Sequence, residues 1–401
     1  MTDAAEVYYD PYDLDIDADP YPIWKRMRDE QPLYYNEKYD FFAVTRWEDV
    51  EPGLEDYTHL ISSKGTLLEL LKAKIELSVG MVNFEDPPTH EVYRGLLSRV
   101  FTPRKMLAIE PRVRKFCADS LDPLVGTGGF DFVRDLGAKM PMRVIGMLLG
   151  IPEADQQEMR NYIDDRLRLD SSEMPTADEM QAVNRAAVEG SFGEYLDWRQ
   201  QHPSHDMMTE LLQAEFDDHT GVRRSLTRDE VLGYVRLLAS AGNETTTKRI
   251  SWTGKVLAEP PDQRRRVAQN RELIPGAIDE VLRYEAPSPT QAGYVNEEMT
   301  YHRQTVPEGS AILLIDAAAN RDERKWDRPD GFIVDRKIDH HQSFGYGIHF
   351  CLGAALARLE ARVALDEVLD RFPDWSVDVD NAVRAHTSTV RGWDKLPVTV
   401  P

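Results

Sequence analysis

Along most of the chain, apolar residues recur at three- and four-residue intervals, the period of helices with one buried face. The strongest pattern opens at Thr227 and Glu230, a Ser/Thr-x-x-Glu capping signature, and runs through Val231, Tyr234, Leu237, Leu238 and Ala241 to Val256. Pro260 and Pro261 stop it. A helix over 227–258 would be about 45 Å long at 1.5 Å per residue, enough to cross a whole domain. A second helix is predicted over 352–371, with Leu352, Leu356, Leu359, Val363 and Leu369 on related faces and Pro373 beyond its end. Period-two patterning is confined to short runs. Phe41-Phe42-Ala43-Val44 reads as a strand, and Ala311–Ile315 and Leu396–Val400 place further strands late in the chain. Leu67, Leu68, Leu70 and Leu71 predict a short helix between loops, and Pro11–Pro32 an ordered wrap around a core. The expectation is a mostly α protein with small β sheets, one large domain over 1–401, and an N-terminal segment over 1–19.

Composition narrows the function. The 401 residues are 41% hydrophobic and 29% charged, as in soluble globular proteins. A net charge of -22 argues against non-specific nucleic-acid binding. No apolar run is long enough to span a bilayer, and the acidic start lacks the basic and apolar regions of a signal peptide. A cytoplasmic location is expected. The two cysteines, Cys117 and Cys351, exclude a disulfide framework and a multi-cysteine zinc site.

Cys351 stands in Phe344-Gly345-Tyr346-Gly347-Ile348-His349-Phe350-Cys351-Leu352-Gly353. Three glycines in ten residues imply tight turns or a close approach of the backbone to something. The start of a helix favours thiolate over thiol, and such a thiolate suits a metal. On spacing alone, a small buried hydrophobe is the more ordinary reading of a lone cysteine. In the long helix, Ala241-Gly242-Asn243-Glu244-Thr245-Thr246 puts poor helix formers mid-element. That is either a close helix–helix contact at Gly242 or a weak point that opens the ladder to water or a ligand. Glu280 and Arg283 are spaced to pair on one helix face. His90 and Arg94, after Pro87-Pro88, point the same way from another helix.

The cysteine loop resembles the haem-binding signature of cytochromes P-450, bacterial type, at each fixed position, and Ala354–Glu360 continue it. The resemblance extends from about Pro20 to Pro397. It implies a haem-thiolate monooxygenase with haem b, Cys351 as axial ligand and His349 bonded to a propionate, His90 and Arg94 serving a propionate as well. Phe344, Gly345, Gly353, Ala241, Gly242 and Val82 would complete the haem surround. The segment at Gly242 is similar to the family's oxygen-activation motif, which implies that Thr245 serves dioxygen and Glu244 relays protons. Glu280 and Arg283 are similar to the family's buried structural Glu-x-x-Arg pair, and Trp326, Pro329, Phe332 and Arg336 to the stretch before the loop.

By analogy with the family fold, Leu67–Val82, Leu238–Thr245, Pro287–Ala292 and Thr387–Val390 line the substrate pocket. Leu238, Ala241, Thr245, Pro289, Thr290 and Val390 are its named residues. The family's propionate arginine after the Glu-x-x-Arg helix is missing near Gly293, where Tyr294 is the expected partial substitute. The resemblance further implies an apolar substrate of steroid, terpenoid, fatty-acid or polyketide type, O₂, a ferredoxin with its NAD(P)H-dependent reductase, and a monomer. Arg94–Lys115 holds seven basic residues against Glu110 alone, a local +6 for such a partner, extended by Arg358 and Arg362. A peroxygenase using hydrogen peroxide and a non-catalytic haem sensor are the alternatives. The Glu244-Thr245 pair argues against both.

Overall fold

A computed structural model describes residues 6–75, 77, 80–157, 159–161, 172–181, 192–259, 261–387 and 389–401. The long helix runs over Arg228–Ala258. Its capping box is closed both ways: the Thr227 amide donates to Glu230 Oε2 at 2.6 Å, and the Glu230 amide to Thr227 Oγ1 at 3.2 Å. Glu259 ends the helix. Pro260 lies outside the described residues, and Pro261 opens the next helix, Pro261–Gln269, where its missing N–H costs nothing.

The long helix is walled in by the helices Met140–Leu149, Ile274–Tyr284 and Ala354–Arg371. It is a polar helix in a buried position, so its hydroxyls bond inward. Thr247 Oγ1 donates to Gly137 O at 2.6 Å and lies 3.0 Å from Asn243 O. Thr253 Oγ1 donates to Arg249 O at 2.9 Å.

The largest sheet has five strands, β1 (Leu33–Asn36), β2 (Phe41–Val44), β3 (Leu60–Ile61), β4 (Gln291–Val295) and β5 (Ala311–Leu314), in the order β1-β2-β5-β4-β3. β2 and β5 pair in parallel, with Phe41 opposite Ala311, and the other pairings are antiparallel. Three of these five lie before residue 62, yet eight of the fourteen described strands follow residue 290, the late gathering that the sequence suggests. Two to four residues are too few for alternation to register without the partner strand. The short helix expected near Leu67 is Leu68–Ala73. The N-terminal wrap packs Tyr9, Tyr12, Trp24 and Met27 against the sheet.

Candidate active site

The cysteine loop is two 3-10 turns, Gln342–Phe344 and Gly347–His349, followed by the helix Ala354–Arg371. Gly345 and Gly347 both have φ of 68°, the left-handed region that admits glycine without strain. A Cβ on Gly347 would come within 2.9 Å of Glu55 Cα, so both conformation and space require glycine there. The loop closes where the Cys351 amide donates to Phe344 O at 2.8 Å. The helix starts later than its apolar pattern suggests, because Leu352-Gly353 form a turn. Burial pushes the Cys351 thiol up; the Gly353 amide and the guanidinium groups of Arg249, Arg94 and Arg358 pull it back toward thiolate. Cys117, by contrast, is wholly buried in the helix Pro103–Leu121, and burial pushes its thiol far up.

An imidazole of the loop meets one from the helix Thr89–Ser98. The rings of His90 and His349 lie 4.4 Å apart, and His349 Nε2 is 3.3 Å from Ser62 Oγ. Burial holds both rings neutral, that of His349 down to about 4, with His90 adding to the effect. Neither His90 nitrogen has a hydrogen-bond partner among the described residues, although the side chain is buried. Arg94, on the same helix, donates to Phe350 O. Phe344 is buried, and the Arg358 guanidinium stacks over its ring at 4.5 Å.

In the middle of the long helix, Leu237, Ala241 and Thr245 keep accessible surface at four-residue spacing, and Arg236, Ser240 and Gly242 beside them are partly accessible too. The backbone does not open there. The helix is continuous through Gly242, whose Cβ position faces Ile145 Cδ1 at 3.4 Å, so the close-contact reading applies to the backbone. Thr245 Oγ1 donates to Ala241 O at 2.7 Å, which satisfies the hydroxyl within the helix. Glu244 turns to Lys248, Oε1 to Nζ at 2.9 Å, and the same ammonium meets Asp394 Oδ1 at 2.8 Å.

Glu280 and Arg283 are both fully buried and joined by two bonds of 2.7 and 2.9 Å. Arg336 and the Ile333 amide add to Glu280, while Arg283 donates to the carbonyls of Asn320, Pro329 and Gly331. The pair thus fastens the helix Ile274–Tyr284 to the stretch that leads into the cysteine loop.

These features can be set beside known proteins. The cytochrome P450 family model matches residues 155–390. The Mycobacterium tuberculosis protein designated cytochrome P450 123 is 38% identical over 400 residues, covering 98% of this chain and 97% of its own length. This chain belongs to the cytochrome P450 family. Among solved structures, CYP109E1 from Bacillus megaterium in complex with testosterone superposes with a TM-score of 0.86 at 29% identity, covering 96% of this chain and 98% of that one. A mutant of P450 EryK in complex with erythromycin B gives a TM-score of 0.86 at 29% identity over 96% of each chain.

As a cytochrome P450, the protein is a haem-thiolate monooxygenase of the P450 fold. The donor set suits that cofactor. Cys351 carries the only loop thiol, and two buried, partnerless nitrogens on His90 beside Arg94 ask for a carboxylate such as a propionate. Val82, also expected near the haem, is buried in the turn Val82–Phe84 just ahead of the His90 helix.

The structure adds detail to three sequence expectations about this P450. Pro289, Thr290 and Val390 do share a cleft, but Tyr9, Ile16, Asp17 and Trp24 of the N-terminal wrap line it too. Leu238, Ala241 and Thr245 do not line that cleft or the neighbouring one at Leu67, Thr290 and Ala292. Ser388, inside the expected Thr387–Val390 segment, lies outside the described residues, as do residues 76, 78 and 79 of Leu67–Val82. Near the missing propionate arginine, a Cβ on Gly293 would meet Leu60 Cβ at 3.3 Å. Tyr294 shares its sheet face with Ala292, so it does not point where a side chain at 293 would.

The third expectation concerns the basic stretch. Arg114 meets Glu110, Asp366 and Glu367, Lys115 meets Asp119, Arg362 meets Glu110, and Arg358 meets Asp279. Among the described residues, Arg99, Arg104 and Arg112 carry no ion pair and are exposed. No described helix is long and apolar enough to cross a membrane.

Proposed function

We propose that Cys351 is the axial thiolate of haem b and that this P450 inserts one atom of O₂ into an apolar small molecule, with electrons from NAD(P)H through a ferredoxin reductase and a ferredoxin. The observation that carries the assignment is the Cys351 loop itself, in which Gly345 and Gly347 turn the backbone at left-handed φ and the Cys351 amide closes on Phe344 O just ahead of the helix Ala354–Arg371. His90, His349 and Arg94 would hold the haem propionates, and Phe344, Gly345 and Gly353 would bed the ring. The haem, when bound, supplies the oxygen chemistry; the protein positions substrate, tunes the iron and admits protons. Thr245 would present its hydroxyl toward dioxygen, and Glu244 would supply protons once its pairing with Lys248 opens.

The substrate would lie against Leu238, Ala241 and Thr245 and enter past Pro289, Thr290 and Val390. CYP109E1 was solved with testosterone and the EryK mutant with erythromycin B. Such ligands support a bulky apolar substrate of steroid, terpenoid, fatty-acid or polyketide type. The two free cysteines suit a reducing cytoplasm, and a monomer is the proposed state.

The test is optical. The reduced protein under carbon monoxide should show the thiolate-ligated Soret band, and Cys351→Ala should lose it; persistence in the variant would displace Cys351. Turnover with NADPH, ferredoxin and reductase, compared with hydrogen peroxide alone, separates the monooxygenase from a peroxygenase, and absence of turnover with both would point to a sensor.

A further inference from the structure

Glu69, on the short helix Leu68–Ala73, keeps only 3% of its surface accessible. A carboxylate taken out of water needs a cation or several hydrogen-bond donors. Glu69 has one donor: Tyr12 OH donates to Oε2 at 3.2 Å. Among the described residues no basic group meets it. Lys72, three residues on, is spaced to pair with it on the helix. It turns instead to Asp40, Nζ to Oδ2 at 3.0 Å.

Glu69 and Tyr12 line the cleft at Leu67, Thr290 and Ala292, which has room, about 20 Å³, for one group the size of a water molecule. Leu67, Ala292 and Leu313 give it apolar walls. The larger cleft alongside shares Pro11 and Thr290 with it. Two acids line that larger cleft, and each has a cation. Asp10 meets Lys38 at 3.0 Å, and Asp17 lies 3.7 Å from Arg391, which is itself held by Glu285 at 2.7 Å. Among the described residues, Glu69 is thus the one acid lining these clefts that has no cation.

We propose that Glu69 is a recognition subsite for a primary ammonium group, so that the substrate is an apolar molecule carrying a protonated amine. An ammonium supplies both the charge and the donors that the carboxylate lacks, and it is close to water in size. A quaternary ammonium has no N–H to donate and is too large for the space. The proposal rests on the reading that substrate enters past Pro289 and Thr290, because Thr290 lines both clefts.

The experiment is a calorimetric titration of the haem-loaded protein with decylamine, decanol and decyltrimethylammonium, with the Soret band recorded at each step. The amine should bind at least about tenfold more tightly than the alcohol, because hydrogen bonds to charged groups are the stronger ones. The quaternary cation should show no such gain. Glu69→Gln keeps the shape and can still accept from Tyr12, so it should bind amine and alcohol alike. Absence of a preference for the amine in the wild type would overturn the proposal, as would a preference that survives in Glu69→Gln. Equal gains for the amine and the quaternary cation would also overturn it, by assigning the effect to general charge; that comparison decides the matter if Glu69→Gln does not fold. A red-shifted Soret band, the mark of an amine nitrogen on the iron, would place the head group at the haem and overturn it too. If the preference is present and lost in Glu69→Gln, yet no probe moves the Soret band, the subsite stands and the path from Thr290 to the haem falls.

Discussion

Glu244 Oε1 and Lys248 Nζ lie 2.9 Å apart, one helical turn from each other, with 6% and 4% of their side chains exposed. Lys248 also reaches the more accessible Asp394, so a line of hydrogen-bonding groups leads from the middle of the long helix to the C-terminal hairpin. The carboxylate proposed as a proton relay is thus a locked ion pair in this state. Lys248→Met should leave Glu244 buried without its partner and cost about 3–5 kcal/mol of stability, whereas the double variant Lys248→Met, Glu244→Gln should recover most of that. Urea melts of the single and double variants measure the difference. Equal stability of wild type and Lys248→Met would mean that the pair is not formed in solution.

Thr245→Ala should fold and still bind substrate, because the hydroxyl returns its bond to Ala241 O and its loss leaves the helix ladder intact. If Thr245 directs protons, the variant should release hydrogen peroxide at the expense of product, within the range of about 10²–10⁴-fold for a lost acid–base contribution. Product formed per NADPH consumed is the measurement, and an unchanged ratio would remove Thr245 from the chemistry.

The cap of the long helix predicts an acid-sensitive contact. Burial would push the Glu230 carboxyl up, but Arg224, Tyr93 and the Thr227 amide more than reverse this and hold it at about 2. A folded-state pKa below the unfolded 4.5 contributes stability that is complete above 4.5 and lost as pH falls toward about 2. Glu230→Gln should therefore cost about 1–3 kcal/mol at neutral pH, and the gap from wild type should close as the pH drops through that window. Thermal melts of both proteins across the acid range test it; a gap independent of pH would assign the loss to packing.

Local chemistry was the legible part. Thr227 and Glu230 are three residues apart, and the box they announce caps the helix. Two of the three glycines of the cysteine loop, Gly345 and Gly347, take positive φ where tight turns require it. What escaped depends on distant segments. Nothing near Pro289 says that Tyr9 and Trp24 share its cleft, since the wrap arrives there only when the sheet forms. Lys248 was within reach of a sequence argument, because a Glu four residues before a Lys pairs on a helix.

The basic stretch after Arg94 carries the last prediction, and the structure narrows it. Seven cations over 94–115 suggested a broad patch, yet Asp366 and Glu367 from the cysteine-loop helix take up Arg114, and Glu110 takes up Arg362. Lys105 has only a loose contact with Glu210 at 3.7 Å. What remains free of ion pairs among the described residues is Arg99, Arg104 and Arg112, with Leu107, 60% exposed, between the last two on the same helix. If the proposed acidic ferredoxin docks on this face, Leu107 between two arginines free of ion pairs would be its apolar centre. The helix that carries it packs along Ala354–Arg371, which begins three residues after Cys351, so an electron donor seated there would be close to the ligand. The whole chain is at -22, but its general repulsion of an acidic ferredoxin is screened beyond about 8 Å at physiological salt, while a contact pair survives. Reduction by ferredoxin should therefore slow as salt rises, through slower association. Charge reversal at Arg104 and Arg112 together should weaken ferredoxin coupling and leave substrate affinity unchanged. The same reversal at Arg114, already neutralised by its three acids, should act mainly on stability. Stopped-flow reduction across a salt series distinguishes these outcomes, and rates indifferent to both salt and the paired reversal would move the docking face elsewhere.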